Sequence, residues 1–232
     1  MIICHRYRFI FIKTRKTAGT SIEIALSRFC GENDVITPIL EEDERLRQRL
    51  GYPGPRNYRL SLAEMARLAG WKEWARFLLT GRRKMYWNHM PAGAVRHMVG
   101  EEIWNDYFTF CFERNPWDKV ISYYWWRKAN GDDLPDLSEF ILQGGGRKVS
   151  DYDRYTENGA LLVDRVCRFE NLASDLEEIG TLLNLPEALE LPHTKSGTRK
   201  DRRNYRELLG EPERDRIAAD FAREIALLDY TF

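Results

Sequence analysis

The apolar run Phe9-Ile10-Phe11-Ile12 stops at Lys13, and after the polar and small residues Lys13 to Ser21 a new pattern begins in which Ile22, Leu26 and Phe29 recur at helical spacing. A strand that feeds a helix through a short polar loop is the repeating unit of α/β proteins. The unit returns twice. Tyr107 to Phe112 reads as a strand closed by Glu113-Arg114-Asn115-Pro116, and Trp117 to Ala129 as the helix after it, with proline in the first turn. Arg165 to Phe169 reads as a third strand, followed by a helix over Leu172 to Leu183 in which Leu172, Leu176, Ile179, Leu182 and Leu183 share a face. A last amphipathic helix is expected over Pro212 to Leu228. Strands alternating with helices predict an α/β fold, a central and mostly parallel sheet flanked by helices, with ligands at the carboxyl ends of the strands.

A chain of 232 residues suits a single domain over 1–232. Its 43% hydrophobic and 31% charged residues are ordinary globular usage, which excludes a disordered chain. Lys plus Arg and Asp plus Glu are both 36, so no overall charge draws the protein to nucleic acid. Residues 41–85 depart from the pattern and read as a mainly helical, basic insertion that carries acceptor specificity, with a helix over Ser61 to Leu79. From Arg45 to Lys84 there are eleven Lys or Arg and two Asp or Glu, which suits an anionic acceptor such as an acidic glycan, although a solvated helical surface gives the same count. Cys4, Cys30, Cys111 and Cys167 form no CxxC pair and are expected as reduced structural thiols. Neither a signal-type segment nor a run of about 18 apolar residues is present, so no membrane span and a cytoplasmic location are expected. With no H-E-x-x-H motif and no paired Cys/His set, no metal site is expected.

The loop before the first helix has the chemistry of an anion site. Amide groups at a helix N-terminus lack carbonyl partners, and the helix dipole adds positive potential. Lys16 supplies a full charge, Gly19 permits close approach of the backbone, and Thr17, Thr20 and Ser21 offer hydroxyls, with Thr20 or Ser21 placed to cap the helix. The lysine precedes the glycine, so the G-x-x-x-x-G-K-[ST] order of ordinary ATPases is absent. Lys16-Thr17-Ala18-Gly19-Thr20-Ser21 instead resembles the 5′-phosphosulfate loop of sulfotransferases that use 3′-phosphoadenosine 5′-phosphosulfate (PAPS), in particular the group of carbohydrate sulfotransferases and their bacterial relatives. Glu113 to Tyr124 resembles that family's 3′-phosphate motif, in which Arg114 at a strand end and Ser122, two helical turns on, converge on one phosphate.

The resemblance implies a P-loop-like sulfotransferase fold, PAPS as donor with 3′-phosphoadenosine 5′-phosphate (PAP) as product, no metal requirement, and a hydroxyl-bearing acceptor. His89, in Trp87-Asn88-His89-Met90-Pro91, resembles the position of a histidine general base, with Lys16 the second catalytic group. Neutral imidazole can take the acceptor proton. His97, His193 and His5 are weaker competitors. Glu113 is an alternative base, ranked below His89 because an ion pair with the neighbouring Arg114 is expected to keep its pKa low. His193 to Arg206 carries six Lys or Arg against one Asp and resembles, more loosely, the segment that closes over the 3′-phosphate and adenine; Lys195 and Arg199 are its candidate contacts, and a solvated basic loop is an equal reading. Asn171 is read as a helix cap. Trp117, Tyr123, Tyr124, Trp125 and Trp126 read as core packing and not as stacking surfaces for nucleic acid. Two rivals stand beside the transferase reading: a nucleotide-dependent kinase of the P-loop type, and an inactive relative that binds a nucleotide or a glycan.

Overall fold

The computed structural model describes residues 1–192, 201 and 203–232. Its strands are β1 (Ile2–Cys4), β2 (Phe9–Ile12), β3 (Val35–Ile36), β4 (Phe108–Glu113), β5 (Thr156–Glu157), β6 (Ala160–Leu161) and β7 (Arg165–Arg168). The first helices are α1 (Gly19–Ser27), α2 (Glu41–Arg49), α3 (Leu62–Leu68), α4 (Trp71–Thr80), α5 (Ala92–Val99), α6 (Glu101–Asp106) and α7 (Pro116–Ala129). They are followed by α8 (Leu137–Leu142), α9 (Tyr152–Tyr155), α10 (Leu172–Leu182), α11 (Tyr205–Leu208), α12 (Glu211–Asp220) and α13 (Ala222–Leu228).

The fold is α/β, with a five-stranded sheet in the order β3-β1-β2-β4-β7 between helices. β2, β4 and β7 run parallel, while β1 lies antiparallel to both β2 and β3. Alternation along β2 builds two cores at once. Ile10 and Ile12 join Ile3, Cys111, Val95 and Met98 on the face covered by α5 and the 41–85 segment. Phe9 and Phe11 join Phe110, Phe112, Ile22 and Leu26 on the face covered by α1 and α10. Every β2 side chain is at most 1% exposed, and burying each is worth about 1.5–3 kcal/mol. A third cluster, with Trp117, Val120, Phe140, Ile217 and Phe221, holds α7 against α8 and α12. Ile12 pairs with Cys111 and Glu113 with Arg168, so the loops that leave β2, β4 and β7 emerge at one edge of the sheet.

Several boundaries differ from expectation for local reasons. The helix expected over Ser61 to Leu79 is two helices, α3 and α4. Ser61 caps the first with a reciprocal Glu64 bond, Ala69 turns extended, and Glu73 caps the second by accepting the Gly70 amide at 3.1 Å. The last helix is likewise split at Phe221, whose φ of −119° and ψ of 24° leave the helical range. α4 packs Trp74 and Phe77 on the core and leaves Trp71, Leu78 and Leu79 exposed. All four cysteines are buried and free. Among the described residues, no helix is long and apolar enough to cross a membrane.

Candidate active site

The residues around Lys16 form a corner under local strain. Lys16 has φ 63° and Ala18 has φ 58°, left-handed values that non-glycine residues rarely adopt and that gather at functional sites. His89 shares this property, with φ 58°. The helix begins at Gly19 with Ala18 in the capping position and no side-chain cap, so the expected capping by Thr20 or Ser21 is replaced by a backbone turn. Ile22 donates the first helical bond, to the Ala18 carbonyl at 3.1 Å. The amides of Gly19 and Thr20 therefore precede the first helical bond and point out of the N-terminus.

Gly19 also serves a purpose that was not read in the sequence. A Cβ there would meet Lys13 Cγ at 2.8 Å and the Thr14 carbonyl oxygen at 3.3 Å. The missing side chain makes room for Lys13, which is 2% exposed and donates to Glu23 Oε2 at 2.8 Å beneath the loop. Burial acts to raise the Glu23 pKa, but Lys13 and the other cations around it outweigh this and bring it down to about 2. Thr17 is also turned inward. Its hydroxyl meets that of Thr14 at 2.9 Å, and Thr14 donates to the Phe112 carbonyl of β4. Thr20 is half-buried and Ser21 buried. Lys16 is half-buried, with Nζ 5.3 Å from the centroid of the Trp126 ring on α7.

The second corner meets the first directly. Asn115 caps α7 by accepting the Trp117 amide at 3.1 Å, and Pro116 occupies its first turn, which fixes how the chain leaves β4. Arg114, just before the cap, donates from Nη1 to the Lys16 carbonyl at 3.0 Å. Its Nε and Nη2 reach Asp118 Oδ2 at 2.9 and 2.5 Å, and the guanidinium lies 4.1 Å from the centroid of Phe169, just after β7. A guanidinium has five N–H donors, and these bonds use three. Ser122 is half-buried one turn beyond Asp118 on the same stripe of α7. The structure thus brings Lys16, Ala18, Gly19 and Arg114 to one place.

His89 is held at the same edge. Nδ1 lies 3.0 Å from the Lys13 carbonyl, an acceptor only, so Nδ1 carries the hydrogen and Nε2 keeps its lone pair. Burial, with Lys13 nearby, lowers the imidazole pKa to about 4. The His89 carbonyl accepts from Arg154, whose Nε donates to Asp151 Oδ1 at 2.6 Å. Asp151 also accepts from the Arg15 amide at 2.6 Å, Arg15 Nε at 2.8 Å and Lys119 Nζ at 3.0 Å. One buried carboxylate therefore ties the His89 segment, the Lys16 loop and α7 together. Burial acts to raise its pKa, but Lys119 and Arg15 bring it down to about 2.

Glu113 corrects the sequence reading. Its partner is Lys119 Nζ at 2.6 Å, not the Arg114 guanidinium, which Asp118 holds. Burial pushes its pKa up to about 7, Lys119 notwithstanding, and Oε2 has no hydrogen-bond partner among the described residues. Glu113 is 1% exposed. His97 is exposed on α5, and His5 lies beyond the start of β2, its Nδ1 2.8 Å from Tyr107 Oη. Asn171 stands at the start of α10 without a side-chain cap bond. Lys195, Arg199 and His193 lie outside the described residues. Sequence reasoning missed Lys13, Glu23, Lys119, Asp151 and Arg154. Buried ions in short or helical stretches leave no periodic signal; only the lysine between Ile12 and Thr14 hinted at one.

Fold and corners together define an α/β protein in which two strand-to-helix turns meet at the carboxyl ends of parallel strands. The chain belongs to the same family as an uncharacterized protein of Archaeoglobus fulgidus, with which it is 32% identical over 124 residues, 52% of this chain and 100% of that one. No protein-family model matches the sequence. Among solved structures, a sulfotransferase from Alicyclobacillus acidocaldarius is similar over 97% of this chain and 96% of its own, with a TM-score of 0.45 and 16% identity. No residue role passes between chains at that distance.

Proposed function

We propose that the protein transfers the sulfuryl group of PAPS to an acceptor hydroxyl. The observation that carries this reading is the 3.0 Å bond from Arg114 to the Lys16 carbonyl, because it makes two anion-seeking corners neighbours, as a nucleotide with phosphates at both ends requires. The residues fit such a donor. The α1 amides and Lys16 suit the 5′-phosphosulfate, and the two remaining Arg114 donors with Ser122 suit the 3′-phosphate. Asp118 is the competing group: a 3′-phosphate must share the guanidinium with it.

In the proposed step His89 Nε2 takes the acceptor proton, the acceptor oxygen forms its bond to sulfur as the bond from sulfur to the 5′-phosphate oxygen breaks, and the electron pair leaves on that oxygen. Lys16 and the loop amides stabilise the charge gathered there, so no metal is needed for this reading. A basic 41–85 insertion would favour an anionic acceptor, such as an acidic glycan.

An acceptor panel with radiolabelled PAPS tests the reading. Label is expected to move to a hydroxyl-bearing acceptor with the wild type, with Lys16→Ala lowering the rate about 10²–10³-fold and His89→Ala about 10²–10⁴-fold. Equal transfer by both variants would remove the site assignment.

A further inference from the structure

A cavity of about 660 Å³ opens on the β1–β3 side of the sheet, within the usual size range of small-molecule sites. Ile3 and Val35 pair in its wall, and His5 extends it past Cys4, which pairs with Phe9 at the start of β2. It therefore reaches toward the opposite end of the sheet from the corners at Lys16 and Arg114.

Arg56, Arg59, Arg67 and Arg83 line this cavity. Many other arginines meet acids, as Arg96 meets Glu101 at 2.7 Å, Arg114 meets Asp118 at 2.5 Å and Arg223 meets Asp153 at 2.8 Å. Among the described residues, none of the four cavity arginines forms an ion pair. Arg56 donates to the Gly31 carbonyl at 3.1 Å, and Arg59 lies over the Tyr58 ring at 5.4 Å. Glu64, the one carboxylate in the lining, is committed to its own helix, where it accepts the Ser61 amide at 2.6 Å. Four like charges around one concave space repel one another, and an anion bound between them reverses that cost. Guanidinium forks also match planar or tetrahedral oxyanions in pairs.

We infer that this cavity is a second anion site, separate from the strand-to-helix corners, that takes an organic ligand carrying several sulfate, phosphate or carboxylate groups. The inference does not depend on sulfuryl transfer, since it rests on the cavity alone. Such a ligand can be the remote, charged part of an acceptor or a separate effector. Titration of the wild type with a heparin-derived tetrasaccharide, with and without saturating PAP, tests it. Binding that persists under PAP is expected. Arg59→Ala/Arg67→Ala, two exposed positions, should weaken it at least tenfold, and Arg127→Ala/Arg214→Ala, which removes equal charge elsewhere, less than threefold. A tetrasaccharide that competes with the acceptor and raises its KM in transfer assays marks acceptor anchoring, and one that shifts only kcat marks an effector; either agrees with the site. Absence of wild-type binding, displacement by PAP, or equal losses in the two double variants would overturn it.

Discussion

At the scale of single residues, His89 and Glu113 have exchanged the characters that bare chemistry assigns them. Burial lowers the imidazole pKa to about 4 and raises the carboxyl pKa to about 7. His89 therefore remains neutral through the physiological range with Nε2 able to accept a proton. The acid limb of kcat/KM is expected near pH 4, with activity nearly flat from pH 6 to 8; a limb centred near 6.5, the ordinary histidine value, would contradict this. The same shift acts on stability. Between about pH 4 and 6.5 the unfolded chain binds a proton at this position that the folded chain does not, so the contribution of neutral His89 is full above 6.5 and is lost as pH falls through 4. Glu113 acts oppositely, its contribution present at low pH and lost as pH rises through about 7. Comparing chemical denaturation of wild type and His89→Asn from pH 4 to 8 separates the two: the variant should lose the acid-side decline attributable to His89. Lys119, 0% exposed between Glu113 and Asp151, gives a larger effect. Lys119→Ala leaves two buried carboxylates facing each other and is expected to cost about 3–5 kcal/mol in urea denaturation. A loss under 1 kcal/mol would show that the pair is not held as described.

Elements explain why some of this was legible in the sequence and some was not. β2, β4 and the helices after them were readable because long apolar runs ended at turn residues, and Pro116 announced the start of α7. β1 and β3 were not, since three and two residues cannot display a period and their pairing is decided by partners far along the chain. The loop around Lys16 was readable as the turn before a helix, but the room that Gly19 leaves for Lys13 was not, because it depends on a buried lysine below the loop. Gly19→Ala therefore has an outcome that separates the two explanations. It should push Lys13 from Glu23 and lower thermal stability as well as nucleotide affinity; reduced affinity at unchanged melting temperature would mean that the glycine serves only the ligand. Arg114 was read at the end of the second strand and lies there, at the turn from β4 to α7, while its restraint by Asp118, four residues on, was not read.

Over the whole molecule, a parallel β2–β4–β7 core sends three loops to one edge, and a buried carboxylate, Asp151, binds two of the segments there to the His89 turn. Toward the opposite end of the sheet lie Arg56, Arg59, Arg67 and Arg83, which form no ion pair among the described residues. Under the proposed function, the Lys16 and Arg114 corners grip the two ends of one nucleotide. Calorimetric titration of the wild type, Lys16→Ala and Arg114→Ala, without magnesium, with PAP and with adenosine 5′-monophosphate measures it directly. The wild type should favour PAP at least tenfold, Arg114→Ala should abolish that preference, and Lys16→Ala should weaken both ligands alike. Equal wild-type affinity for the two nucleotides, or a preference for PAP that survives in Arg114→Ala, would contradict the claim.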